Sequence, residues 1–227
     1  MMNASSWVTA IATIIIAIVA LFQEKIRALL QKPRLKVSFT LAPPDCHKIQ
    51  VYGMQELQSF KADSYYFRFR VRNTGNYKAE SVEVFAKELS KMQADGTLKK
   101  VDDFPFMNLR WTHSNKLITE IISPKMERIC DLGYIIDPAL RKEFGETENE
   151  PRLEVSANDT VFSFAFQVKK PGINHLISPG KYRVAIIVCA ANSKPRQETF
   201  ELNITGKWSA DEKKMLSEGV GIRPLNS

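Results

Sequence analysis

The alternation of apolar and polar positions divides the chain into two unequal parts. Residues 1–22 contain no Lys, Arg, Asp or Glu, so all 32 basic and 25 acidic side chains lie beyond them. Residues 7–22 read WVTAIATIIIAIVALF, and Ser5, Ser6, Thr9 and Thr13 are the only polar residues in 4–22. As a helix, these 19 residues cover about 28 Å at about 1.5 Å per residue, close to a hydrocarbon thickness of about 30 Å. A helix suits lipid because its backbone groups pair internally, and Trp7 sits where an amphipathic ring meets headgroups. A transmembrane helix is therefore expected. The alternatives fit less well. A cleaved signal peptide needs a basic leading region and a small-residue cleavage site, and a buried helix of a soluble domain would show a polar face.

The period changes after this segment. Residues 23–31 continue as a helix with Ile26, Leu29 and Leu30 on one edge, and Pro33 ends it. From residue 35 onward apolar side chains recur every second position, in 35–41 (LKVSFTL), 65–72 (YYFRFRVR), 81–88, 161–168 (VFSFAFQV), 182–190 (YRVAIIVCA) and 199–205. Shorter strand candidates are 49–52, 108–111, 128–130 and 153–155. Alternation broken by Gly, Pro, Asn and Asp marks half-buried antiparallel strands. No strand–helix alternation points to a parallel sheet. Turns are expected at Asn73-Thr74-Gly75-Asn76, where Gly75 can adopt positive φ, at Asp95-Gly96 and at Pro179-Gly180. Residues 146–151 (ETENEP) read as an acidic, solvated loop. Near the end, Ser209-x-x-Glu212 is a capping-box pattern that starts a helix to about Glu218. Trp208, Met215 and Leu216 would dock that helix, Gly219 would close it, and the last residues would fray.

The expected fold class is thus mainly β: an antiparallel β-sandwich preceded by one N-terminal transmembrane helix and followed by a short C-terminal helix. The divisions are 1–22 for the tail and membrane helix, 23–34 for a basic juxtamembrane linker, 35–207 for the sandwich and 208–227 for the helix and tail. About 190 residues suffice for one sizeable core.

The run Phe67-x-Phe69-x-Val71-x-Asn73-Thr74-Gly75, followed by Ala79, Val82 and Val84, resembles immunoglobulin-like modules of bacterial surface and membrane proteins, in which an N-T-G turn links two strands. The likeness covers about 20 residues and implies an immunoglobulin-like β-sandwich that binds or spaces, with no catalytic residues to carry over. The layout of a short anchor followed by a sandwich is similar to that of small membrane-anchored bacterial proteins.

Charge refines this picture. The net charge is +7, and Lys25, Arg27, Lys32, Arg34 and Lys36 follow the apolar segment against the single acid Glu24. The positive-inside rule places the N-terminus outside and the C-terminal domain in the cytoplasm, on a single-pass protein of the inner (plasma) membrane. The same basic flank is drawn to anionic lipid. Three cysteines, Cys46, Cys130 and Cys189, are odd in number and widely spaced, which suits reduced thiols rather than a disulfide framework; Cys189 reads as core.

Candidate chemistry is sparse. His47, His113 and His175 are isolated, no G-x-S-x-G or H-E-x-x-H pattern occurs, and Cys46-His47 and Cys130-Asp131 lack metal-ligand spacing. No cofactor, metal or enzymatic activity is expected. Arg68, Arg70 and Arg72 alternate along one strand beside Tyr66. They form either an anion-binding row or a solvated outer face whose charge Glu83 on the next strand partly neutralises. Phe104, Phe106 and Trp111 form either a partner-binding cluster or a plug at the end of the sandwich. In the membrane helix, Ser6, Ala10, Thr13, Ala17 and Ala20 line one seam of small residues, suited to helix pairing or simply filling a short anchor. The expected function is a membrane-anchored, non-enzymatic interaction or scaffold module. It would have membrane lipid (residues 4–22) and a protein as partners, and a homo-oligomer could form through the helix. The alternative is a tethered sensor that binds an anionic ligand or nucleic acid through the arginine face, although a nucleic-acid partner is not expected.

Overall fold

The structure, a computed structural model, describes residues 4–55, 58–114, 116–146, 153, 155–167 and 175–225; the side chains of residues 4–6, 24–30, 54, 55 and 58 lie outside the description. The chain begins with one uninterrupted helix, α1 (Ala4–Leu30), of 27 residues. The apolar stretch and the basic stretch therefore share a single rod. Pro33 is buried just beyond it, where proline cannot continue the helical hydrogen-bond ladder.

Strands follow in the order β1 (Leu35–Ser38), β2 (Cys46–Gln55), β3 (Gln58–Asn73), β4 (Ala79–Met92), β5 (Leu98–Lys100), β6 (Met107–Asn108), β7 (Ile118–Ile122), β8 (Glu127–Ile136), β9 (Phe162–Phe164), β10 (Leu176–Ile177), β11 (Gly180–Ala190), β12 (Ser193–Ile204) and β13 (Val220–Pro224). A short helix, α2 (Glu212–Lys214), runs into a π turn over Met215–Gly219 before β13. Two antiparallel sheets result. One runs β1-β3-β8-β9-β10, with β2 beside β1 on the same edge of β3; the other runs β13-β12-β11-β4, and β5, β6 and β7 share the outer edge of β4.

Alternation dictates which side chains fill the space between the sheets. Phe67, Phe69 and Val71 of β3 and Cys130 and Leu132 of β8 face Val82 and Val84 of β4, Val184 and Ile186 of β11, and Phe200 and Leu202 of β12 in one buried cluster. The rings of Phe69 and Phe200 lie 5.8 Å apart, within the range favoured by aromatic pairs. This mainly β, two-sheet arrangement is compatible with a β-sandwich. A satellite cluster of Ala62, Tyr134 and Ile136 sits on the outer face of the first sheet, covered by Leu140 and Phe144.

Several sequence expectations need correction. Residues 220–224 form a strand rather than a fraying tail. Val220 and Ile222 are buried, and β13 pairs with β12 through Phe200↔Pro224 to Ile204↔Val220, so the apolar i, i+2 spacing outweighs Gly219 and Pro224. The short helix before it begins later than the capping-box pattern suggests. Asp211, not Ser209, caps α2 by accepting from the Lys214 amide at 2.9 Å. Glu212 is drawn away to accept from the Lys48 amide on the edge of β2 at 2.7 Å. Cys189 faces outward and is only half-buried, since Val188 takes the inward position next to it. Glu146, read as the start of a solvated loop, is 3% exposed; residues 147–151 of that loop lie outside the described residues.

Among the described residues no helix is long and apolar enough to cross a membrane. The part of α1 with described side chains is residues 7–23, or about 26 Å at about 1.5 Å per residue. Apart from the half-buried Ala10, its apolar side chains are exposed, from Trp7 at 58% through Ile16 at 68% to Leu21 at 78%.

Candidate anion-binding face

The turn Asn73-Thr74-Gly75-Asn76 fastens the linker that follows α1 to the sheets. Its backbone and side chains grip the linker 32–34. The Thr74 amide donates to the Arg34 carbonyl at 2.7 Å and the Asn76 amide to that of Lys32 at 3.3 Å. In the reverse direction the Lys32 amide donates to Asn76 Oδ1 at 3.0 Å and the Arg34 amide to Asn73 Oδ1 at 3.1 Å. Asn73 is fully buried, and its Nδ2 donates to the carbonyls of Tyr77 at 2.6 Å and Ile122 at 3.0 Å. Gly75 is needed here for a reason other than positive φ, which it does not adopt. A Cβ at this position would lie 2.2 Å from the Lys32 carbonyl oxygen and 2.6 Å from the Arg34 nitrogen, so only glycine admits the linker.

The outer face of the first sheet runs from this clasp along β3, and the three arginines do share it. Two are engaged by acids on flanking segments. Arg68 Nε donates to Asp131 Oδ1 at 3.0 Å, while Thr112 Oγ1 donates to the same oxygen at 2.7 Å. The Arg68 guanidinium also lies 5.3 Å from the centre of the Tyr66 ring, a cation–π distance. Arg70 joins the buried Asp45 at 2.7 Å and also Glu127. Hydrogen bonds donated to both carboxylates raise the Arg70 pKa further above its ordinary value. Tyr66 stacks on Tyr134 at 5.2 Å, and burial raises its phenol pKa. Arg68, Arg70 and Tyr66 therefore form a neutralised, fixed network.

Arg72, at the clasp end, differs. Its Cα partners are Lys36 on β1 and Glu127 on β8, so the three side chains form one cross-strand row. Lys36, Ser38, Arg72, Thr74, Lys125 and Glu127 line a cavity of about 330 Å³. Among the described residues, Lys36, Arg72 and Lys125 have no ion-pair partner. Lys125 is held in the left-handed region at φ 66°, and its Nζ donates to the Thr74 carbonyl at 3.1 Å. Glu127, the one acid of the cavity, already binds Arg70. Sequence reading took Arg72 with its strand neighbours and missed Lys125, because only the turn after β7 brings that lysine to the clasp.

The aromatic cluster is divided. Trp111 is buried, with Nε1 donating to the Leu117 carbonyl at 3.2 Å. Phe104 packs on Phe164 at 5.2 Å and Phe166 at 5.8 Å. Phe106 alone is exposed, stacked on Phe85 at 5.0 Å. In the helix, Ala10 is half-buried while Thr13, Ala17 and Ala20 are exposed, and the Thr13 hydroxyl donates to the Thr9 carbonyl at 2.9 Å. Lys32 and Arg34 are exposed at the clasp; the side chains of Ser6, Lys25 and Arg27 lie outside the described residues.

A second polar group went unnoticed in the sequence. Arg141, Glu146, Thr160, Ser163 and His175 are all buried. Tyr134 hydrogen-bonds to Ser163 and Glu146, and burial pushes its pKa up to about 12. Among the described residues no three His, Cys, Asp or Glu side chains could hold a metal ion. Burial likewise raises the thiols, Cys46 to about 12 and Cys130 well above its usual value, which makes both poor nucleophiles. No protein-family model matches the chain, and no curated protein matches it either.

Proposed function

We propose that the protein is a membrane-anchored, non-enzymatic interaction or scaffold module. In this reading an immunoglobulin-like β-sandwich is held in the cytoplasm, close to the inner (plasma) membrane, by the single-pass helix α1. The observation that carries the reading is the combination of an apolar rod with its large side chains exposed and a clasp that binds the linker after it to the sheets. Exposed apolar surface on that scale needs a non-aqueous solvent or a partner to cover it. The strand order supports the immunoglobulin-like part. One sheet runs β1-β3-β8 and the other β12-β11-β4, the order of strands A-B-E and G-F-C in such modules, although β9 and β10 add to the E side. The ion pairs of Arg68 and Arg70 favour the scaffold over a sensor that reads ligands along the whole arginine row. Anchoring raises the effective concentration of the domain near partners on the same surface. Fractionation of lysed cells tests the anchor: the full chain should sediment with membranes, resist extraction by alkaline carbonate and require detergent for release. Recovery in the supernatant overturns the reading. Protease added to right-side-out vesicles should leave the sheets intact, and their digestion would reverse the orientation.

A further inference from the structure

We infer that the cavity lined by Lys36, Arg72 and Lys125 binds the phosphate of an anionic phospholipid headgroup and so seats the clasp end of the sheets against the bilayer. The inference rests on the membrane-anchored reading above. Three features support it. The first is charge. The lining carries three cations, Lys36, Arg72 and Lys125, against one carboxylate, Glu127, which Arg70 already engages. The cavity itself therefore retains an excess of cations. The second is chemistry: Ser38 adds a hydroxyl beside the ammonium and guanidinium groups, a donor set suited to phosphate oxygens. The third is position. The clasp holds Lys32 and Arg34 on the turn that supplies Thr74, so the cavity opens two residues along the chain from the end of the linker.

If the 19 residues of 4–22 fill the hydrocarbon, residues 23–30 carry the helix about 12 Å further at about 1.5 Å per residue. That places the clasp at the outer edge of the headgroup layer, where an anionic leaflet attracts cations lying within about 8 Å at physiological salt. Met126 next to the cavity is 61% exposed and offers an apolar contact to the same surface. A second lysine group, Lys91, Lys99 and Lys100, lines a separate cavity. It lies at the other end of β4, about 40 Å away at about 3.3 Å per residue, and serves as an internal control.

The test uses the full chain reconstituted in vesicles. Flotation with pure phosphatidylcholine vesicles examines the anchor alone. If the protein fails to float, the membrane-anchored reading falls, and this inference with it. With the protein floated, amine acetylation read by mass spectrometry compares phosphatidylcholine vesicles with vesicles containing phosphatidylglycerol. Lys36 and Lys125 should become several-fold less reactive in the anionic vesicles while Lys99 and Lys100 stay unchanged, and high salt should remove the difference. Arg72→Ala, at an exposed position that leaves the core untouched, should weaken the protection of Lys36 and Lys125 about fivefold, the effect expected for one basic residue near an anionic surface. Equal labelling of Lys36 and Lys125 in the two vesicle types overturns the inference but leaves the anchor intact. Equal protection by inorganic phosphate over neutral vesicles also overturns it, in favour of a free-phosphate site.

Discussion

Gly75→Ala tests the clasp most directly. The new methyl group would lie 2.2 Å from the Lys32 carbonyl oxygen, 2.6 Å from the Arg34 nitrogen and 2.9 Å from the Pro33 carbonyl carbon. All three are backbone atoms that no side-chain rotation relieves, so the linker must lift. Lifting it stretches five hydrogen bonds between the turn and residues 32–34, each worth about 1 kcal/mol net. It also loosens the first pair of β1, Leu35↔Asn73. Loss of about half of these interactions costs about 3 kcal/mol, which for a domain of this size lowers Tm by roughly 6–12 °C. Gly221→Ala is the control, because its Cβ would meet only Asn203 Cβ at 3.6 Å, an ordinary contact. Thermal unfolding in detergent should separate the two variants, and limited trypsin digestion should cut after Arg34 faster in Gly75→Ala. If Gly75→Ala melts with the parent and its Arg34–Leu35 bond stays protected, the close approach does not organise this joint.

Further tests follow from the same contacts. Asn73→Ala leaves the amides of Arg34 and Gly75 and the carbonyls of Tyr77 and Ile122 without their partner; denaturant unfolding should show a loss of about 2–4 kcal/mol. Arg70→Ala strands Asp45, whose side chain is 5% exposed. It should cost about 3 kcal/mol, and Asp45→Asn in the same chain should recover part of that in a double-mutant cycle. Burial raises the Cys46 pKa from 9.0 to about 12 and that of Tyr134 from 10.0 to about 12. For both groups the folded state holds its proton to higher pH than the unfolded state, so the stability is complete below pH 9 and is lost as pH rises from about 9 to about 12. Equilibrium unfolding at stepped alkaline pH should show that decline, with a shallower slope in Cys46→Ala. A thiol reagent at neutral pH should modify Cys189 before Cys46 and Cys130, which are buried; equal rates for all three would contradict the burial.

Strong alternation made the central strands legible. The run YYFRFRVR falls within β3, YRVAIIVCA within β11, and the residues around Val82 and Val84 within β4, because one face of each meets a continuous core. Strands whose pattern is short or interrupted were harder to read. Residues 108–111 and 128–130 hinted at β6 and β8, but β8 extends to Ile136 past Leu132, where pairing steps from Arg68↔Asp131 to Phe67↔Gly133, a register shift that no periodicity reveals. The N-T-G turn was visible, yet its purpose was not. Sequence suggested a glycine freed for positive φ, whereas a linker about 40 residues earlier in the chain makes the position glycine-only. The arginine row was placed on the correct face. Its partial neutralisation depends not on Glu83, which lies on β4 of the other sheet, but on Asp45, just before β2, and on Glu127 and Asp131 of β8. Cys189 was misjudged for a related reason: local composition gives the apolar character of a strand, but not which sheet face it meets.

The clasp also determines how freely the sheets can move relative to α1. Only residues 31–34 separate the helix from β1, and those residues are themselves hydrogen-bonded to the turn. A domain on a long pliable tether sweeps a hemisphere and meets partners at any bearing. A domain whose link to its stalk is this short, and largely fixed to its own turn, has little slack, so in the membrane-anchored reading it reaches a narrower range of bearings.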